Sequence, residues 1–278
     1  MPELPEVEAG RRLAERVAAG RTILRVWCDE DPIVFDGVTP THVRKALTGR
    51  RVRSVHRRGK HLWMTLDRAP HPLFHFGMTG AFRTPDTEPL VLASSGSRRD
   101  AGWPPRFAKI RLELDDGGEL VMVNKRRLGR IRLRENPPAE PPISDLGFDP
   151  IVDPPSPAEF ARLLERRTGT LKGVLLDQGF AAGVGNWIAD EVLYQAKLDP
   201  RRSAAELSSA EIRRLRTVLL RVVEKAVSVD ADKKRFPRTW LFHSRWGREP
   251  LARTAKGEDI EFLTIAGRTT AWVPSVQR

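Results

Sequence analysis

The chain has 278 residues, 40% of them hydrophobic and seven of them tryptophan, which suits a folded protein of two ordinary domains and excludes a disordered one. A formal charge of +12 points to a polyanionic partner, with nucleic acid the first candidate. The single cysteine, Cys28, excludes an intrachain disulfide and a cysteine-rich metal site. No apolar run reaches membrane-spanning length and the N-terminus lacks a secretory core, so a soluble intracellular protein is expected.

The first stretch is Met1-Pro2-Glu3-Leu4-Pro5-Glu6-Val7-Glu8. Methionine before a small residue is normally trimmed, which would leave Pro2 as the amino terminus with a secondary amine, a backbone nitrogen able to act as a nucleophile. An α-amino group titrates near ~8, so on the order of a tenth is unprotonated at neutral pH. Glu3 stands next to it and could shuttle protons. Pro5 suits a first helical turn, the run to Ala19 has helical composition, and Gly20 is a stop. Glu3 and Glu6 then lie near the positive end of that helix, a favourable place for carboxylates. The same residues also suit an ordinary capped N-terminal helix.

Short β-type runs follow at 23–27, 52–55, 62–66, 73–76, 110–114, 120–123 and 131–133, with a hairpin signal at Asp115-Asp116-Gly117-Gly118. Strands at this spacing, with no βαβ rhythm, predict a β-sandwich. Residues 85–106 are rich in Pro, Ser, Gly and charge and read as a long surface loop. Lys60 follows Arg57-Arg58-Gly59 and precedes a strand, which places it on a hairpin, either at a binding site or on a solvated basic loop. The four prolines of 135–142 predict a semi-rigid, extended linker.

Beyond the linker the pattern turns helical. Ser156-Pro157-Ala158-Glu159 is a capping box with proline at the first helical position. A short helix is expected at 171–177, then a glycine-rich turn, a helix at about 186–196, and a longer one from the Ser208 cap to about Val227. Gly183-Val184-Gly185-Asn186 puts exposed N–H groups and an amide at a helix N-terminus, a phosphate site, although glycines before helices are common. Residues 260–272 read as strand, tight turn, strand.

The opening MPELPEVE resembles the Fpg/Nei family of DNA glycosylases with an associated lyase activity. The likeness recurs at Arg57-Arg58-Gly59-Lys60, Phe76-Gly77-Met78-Thr79-Gly80, Lys125-Arg126-Arg127, Asp177-Gln178-Gly179, the run from Gly183 to Glu191, and Gly267-Arg268-Thr269-Thr270, in family order from end to end. The resemblance implies an α+β fold: an N-terminal β-sandwich domain with a leading helix (1–134), the linker (135–142), a helix–two-turns–helix domain (143–235) and a β-hairpin finger (236–278). It implies catalytic roles for Pro2, Glu3, Glu6 and Lys60, with Lys60 contacting phosphates around the damaged nucleotide. Lys172 and Asn186 would grip flanking phosphates and Arg268 would reach a phosphate from the finger turn, with Glu191 a structural support. Met78, Arg126 and Leu128 lie where the family fills the gap left by an everted base. Leu128 departs from the phenylalanine of many bacterial members, which puts opposite-base discrimination in doubt.

Bacterial members usually end in a four-cysteine zinc hairpin, but no cysteine follows Cys28, so the finger resembles the zincless one of plant-type Fpg. Phe262, Ile265 and Trp272 are expected to supply its packing. The implied function is a bifunctional glycosylase/AP lyase of base excision repair: a monomer acting on damaged double-stranded DNA, with no cofactor, metal or membrane. The plant-type likeness suggests ring-opened purines and further-oxidised guanine as lesions. A non-catalytic DNA-binding module would keep Lys60, Asn186 and Arg268 without needing a free Pro2 beside Glu3; an AP lyase with little glycosylase activity would lack a working base pocket.

Overall fold

The computed structural model describes residues 1–86, 102–246 and 251–278. They form two compact units, Met1–Asp145 and Leu146–Arg278. Most of the surface loop expected at 85–106 lies outside the described residues. No helix is long and apolar enough to cross a membrane, among the described residues.

The first unit opens with helix α1 (Leu4–Ala18), whose Leu4, Val7, Ala14 and Ala18 are buried along one face. Two four-stranded antiparallel sheets follow. One has the order β1 (Ile23–Cys28), β6 (Ala108–Leu114), β7 (Glu119–Val123), β5 (Ala81–Arg83). The other runs β2 (Val52–Arg58), β3 (His61–Leu66), β4 (His71–His75), β8 (Arg130–Arg134). Ile23, Ile110 and Met122 from the first sheet join Leu62, Phe74 and Ile131 from the second in one buried cluster, so the sandwich is closed by its inner faces. Gly10 lets α1 come close: a Cβ there would stand 2.8 Å from the Phe76 ring.

One helix of this unit is absent from the sequence reading. Helix α2 (Pro40–Leu47) begins at Thr39, whose hydroxyl accepts the His42 N–H at 3.1 Å, with proline at its first turn. The Thr-Pro signal was present, but eight residues carry too little periodicity to stand out. The stretch 135–142 also differs from the expected extended spacer. Pro137–Ala139 form a 3-10 turn and the neighbouring Ile143 is buried, so this segment is folded onto the first unit.

The second unit holds α3 (Pro157–Glu165), α4 (Leu171–Leu176), α5 (Asn186–Ala196), α6 (Ser209–Ser228) and a two-stranded hairpin of β9 (Glu261–Ile265) and β10 (Arg268–Trp272). Helices α3 and α6 each start at a serine capping box. Helix α5 is buried over most of its circumference, from Trp187 through Tyr194, as befits the central helix of the unit. The hairpin packs with the helices of this unit and is not a body of its own. Its apolar side chains join Tyr194 of α5 and Leu241 in a single cluster.

His61 and His75 sit opposite each other on β3 and β4, ring centroids 4.7 Å apart. Burial and neighbouring cations push both rings below their ordinary value, His61 to about 3 and His75 to about 4. Because the unfolded chain takes up those protons near 6.5, this pair's contribution to stability is complete above about pH 6.5 and lost as pH falls toward 4. Glu6, raised to about 8, acts in the opposite sense, losing its contribution as pH rises from about 4.5 to 8. Urea unfolding should show His61→Asn gaining stability relative to the parent on going from pH 7.5 to pH 5, because only the parent carries the His61 loss. An unchanged difference between the two proteins would remove His61 as a contributor.

Candidate active site and nucleic-acid interface

In the first unit the chain terminus, the N-cap of α1 and the β2–β3 turn converge. Glu3 is the N-cap residue, 2% exposed, and its N–H donates to the Glu6 carboxylate at 2.9 Å, closing a capping box on the first turn. Burial, then the charge of Glu3, raises the Glu6 carboxyl to about 8, so it carries a proton at neutral pH. The terminal amine, on Met1 in this structure, is pushed below its ordinary value by burial. Glu3 and Glu6 oppose that shift, and Lys60 and Arg126 add to it. An amine so depressed is more often unprotonated at neutral pH, the state in which nitrogen can attack.

Lys60 reaches this cluster from a two-residue turn between β2 and β3, where Gly59 takes a φ of +58°. The turn is tied back to α1 by Arg57. Its guanidinium is buried, donates to Glu8 at 2.9 Å and donates to the Gly59 carbonyl at 3.1 Å. Neither Glu8 nor the function of Arg57 was singled out from the sequence, since a buried pair so far apart along the chain has no local pattern.

Met78, Arg126 and Leu128 lie on two loops that Asn124 joins. The buried Asn124 amide donates to the Phe76 carbonyl at 2.8 Å, and its oxygen accepts the N–H groups of Leu128 (2.9 Å) and Gly129 (3.1 Å). At Gly77, with φ +62°, any Cβ would lie 2.3 Å from the Leu128 carbonyl, so only glycine permits the approach. Arg127, with φ +55°, grips Asp31 through two bonds of 2.9 and 3.0 Å, and Arg126 and Leu128 on either side of it are exposed. Burial works against ionisation of Asp31, but the bonds from Arg127 and Lys109 win and hold its carboxyl below the usual range. Met78 is half-buried beside them. Asn124, Asp31 and Arg127 are thus framework residues that the sequence reading passed over, and so is His75, which shares its surroundings with Lys60.

In the second unit Gln178 holds the glycine-rich turn, accepting the Gly183 N–H at 3.1 Å and donating to the Val184 carbonyl at 2.9 Å. The turn delivers Asn186 as the first residue of α5, and the Asn186 amide donates to the Thr269 carbonyl of β10 at 2.8 Å. Asn186 and Arg268 are thereby brought to one place. Arg268 is exposed at the head of β10, after a turn in which Ala266 and Gly267 both have positive φ (49° and 69°), the geometry of a type I′ hairpin.

Lys172 requires a correction. Its side chain is fully buried, its ammonium paired with the Asp190 carboxylate and bonded to the Asn186 carbonyl at 3.2 Å. It is therefore unavailable to grip a phosphate from solvent. Asp190 also takes Arg245 at 3.1 Å and the Ala271 N–H of β10 at 3.2 Å, so Lys172 belongs to a buried knot joining α5 to the hairpin. Glu191 beside it is buried, accepts the Phe242 N–H at 2.8 Å and is raised by burial to about 7.

Ile265 and Trp272 are buried on one face of the hairpin, and half-buried Phe262 lies on the other beside Ala271, with Arg201 lying 4.2 Å over the Trp272 ring. Zinc does not fit this hairpin. The chain's sole cysteine is buried in the first unit, and the described residues contain no group of three or more His, Cys, Asp or Glu poised around an ion.

Comparison with known proteins agrees with this arrangement. Residues 1–131 match the family model of the formamidopyrimidine-DNA glycosylase N-terminal domain, and residues 146–237 that of the formamidopyrimidine-DNA glycosylase H2TH domain. The whole chain is 43% identical to a formamidopyrimidine-DNA glycosylase of Arabidopsis thaliana, spanning 71% of that protein. It is 35% identical to one from Thermus thermophilus, spanning 98% of it. A crystal structure of Lactococcus lactis formamidopyrimidine-DNA glycosylase, non-covalently bound to DNA containing an AP site, shares the fold with a TM-score of 0.80 at 24% identity, over 99% of both chains. The chain belongs to the formamidopyrimidine-DNA glycosylase family.

Proposed function

We propose that the protein is a bifunctional DNA glycosylase and AP lyase that removes oxidised bases through a covalent intermediate on Pro2. The observation that carries this reading is the gathering of the terminal amine, Glu3, Glu6, Lys60 and Arg126 at one point, with the amine depressed by burial. Once Met1 is removed, the Pro2 nitrogen attacks C1′ of the damaged nucleoside while Glu3 assists opening of the sugar ring, and the base leaves with the bonding electron pair. The resulting iminium draws electrons from C2′, whose proton is lost. The 3′ phosphate departs first and the 5′ phosphate second, leaving a one-nucleotide gap. Glu6, protonated at neutral pH, supports the damaged nucleotide as a hydrogen-bond donor. Lys60 contacts the phosphates beside it, and Asn186 and Arg268 hold phosphates farther along.

Met78, Arg126 and Leu128 occupy the space of the everted nucleotide, which lowers the cost of unstacking. The exposure of Leu128 (41%) on a rigid loop favours this role over a core one. The substrate is damaged duplex DNA, with ring-opened purines the lesion class named by the relatives. The enzyme acts as a monomer with DNA in the cell, without cofactor or metal.

Borohydride added during turnover should trap a protein–DNA adduct whose linked peptide begins at Pro2; an adduct mapped to Lys60 would overturn the assignment. An uncleaved tag ahead of Pro2 should abolish trapping, since an amide nitrogen is not nucleophilic.

Glu3→Gln should slow base release by roughly 10²–10⁴-fold, the usual loss on removing a general acid/base, and leave affinity for lesion duplex largely intact. Excision at the parent rate would remove Glu3 from the mechanism.

Salt titration separates the two cations of the second unit. Arg268→Ala should weaken binding by roughly 1.5–3 kcal/mol and flatten the dependence of log affinity on log salt by about 0.9. Lys172→Ala should instead lower the unfolding midpoint, because it leaves the Asp190–Arg245 pair short of one cation. A flattened salt slope with unchanged stability in Lys172→Ala would restore that residue as a phosphate contact.

A further inference from the structure

Away from the N-terminal cluster, the first unit carries a groove of about 460 Å³ lined by Trp27, Asp29, Pro104, Pro105, Phe107 and Lys109. Trp27 stands on β1 with 49% of its surface exposed, and Phe107, just before β6, with 39%. Large aromatic faces left in water at one groove mark a binding surface more often than a packing accident. Phe107 has a φ of +65°, a left-handed conformation that bulky side chains rarely adopt. Its backbone is pinned there by the Asn124 N–H, which donates to the Phe107 carbonyl at 2.9 Å. Backbone strain kept at an exposed aromatic points to a use for that ring.

Cations gather at the same spot. The Arg106 guanidinium lies 4.8 Å and the Lys125 ammonium 5.8 Å from the Phe107 ring centroid. The groove's carboxylate, Asp29, takes the Lys109 ammonium at 2.6 Å; Lys109 also meets Asp31 at 2.8 Å and Arg127 meets Asp31 at 2.9 Å, so two cations balance the two carboxylates. Aromatic faces interleaved with cations are what a single nucleic-acid strand requires, because bases stack on rings while phosphates meet the charges. A duplex hides those faces in its own stack. Lys125 also immediately precedes Arg126, so the groove is continuous along the chain with the loop placed at the everted nucleotide.

We propose that the Trp27–Phe107 groove is an accessory site for single-stranded DNA, taking an unpaired nucleobase against the rings and its flanking phosphate at Arg106 and Lys125. The choice of DNA rests on the function proposed above; the stacking site itself rests on the groove.

The test uses the full chain and a fluorescein-labelled ten-nucleotide oligothymidine, with affinity read by anisotropy. Trp27→Ala and Phe107→Ala should each weaken binding about tenfold, within the range for loss of one base–aromatic stack, while Trp27→Phe keeps most of it. Excision from a blunt lesion duplex should remain at the parent rate in all three, which also reports correct folding. Unchanged oligothymidine affinity in both alanine variants overturns the proposal, and so does loss of duplex excision in step with it, which would make the rings mere supports. Tighter binding of an oligouridine RNA of equal length would overturn the assignment to DNA. A parent protein that excises nothing would sink the proposed function while leaving this binding comparison readable.

Discussion

The buried pair of Glu8 and Arg57 is the constraint on which the first unit's chemistry depends. Two opposite charges withdrawn from water are costly unless each remaining donor and acceptor is matched. Arg57 gives one N–H to Glu8 and another to the Gly59 carbonyl, and Glu8 accepts from Arg11 and Arg12 as well. The consequence is geometric. One guanidinium holds the first helix against the turn that carries Lys60, so the terminal amine, both acidic residues of the first helical turn and the lysine share one locale. Gly10 completes the seating, since a Cβ there would stand 2.8 Å from the Phe76 ring.

A second framework, built on Asn124, works by the same economy of groups. A single buried amide satisfies a carbonyl at the end of one loop and two N–H groups of another, so Met78 and Leu128 are presented by loops that cannot drift apart independently. Preorganised loops would serve the proposed task of keeping a nucleotide out of its stack, because an ordering cost met during folding is not met again on binding. The second unit repeats the pattern in ionic form, with Asp190 taking Lys172, Arg245 and a backbone N–H of the hairpin.

Much of this was legible in the sequence for identifiable reasons. Serine caps mark helix starts because they answer backbone donors locally, and so the starts of α3 and α6 agree with the structure to within a residue, while that of α5 was readable from the glycine-rich turn ending at Gly185. The hairpin at β9–β10 was readable from Ala266-Gly267 between two β-type runs. What stayed hidden involves partners distant along the chain. Nothing near Lys172 announces that Asp190 will bury its charge, so an apparently available cation became a structural one. Nothing near Asn124 announces Phe76, and nothing in 135–142 announces that its prolines would turn back onto the first unit. The family likeness assigned roles by position along the chain, and position could not distinguish a cation facing solvent from one facing a carboxylate.

The thiol inventory of the chain has a bearing on the conditions under which it can operate. Its single cysteine is buried on β1, and burial pushes the thiol up to about 12, so almost no thiolate exists at neutral pH. Peroxides attack the thiolate, which leaves them little to oxidise there. The hairpin, for its part, is fastened by indole, phenyl and carboxylate groups, where a set of metal-bound thiolates would surrender both its sulfurs and its ion to the same oxidants. Neither Cys28 nor the hairpin therefore offers a peroxide a thiolate to attack.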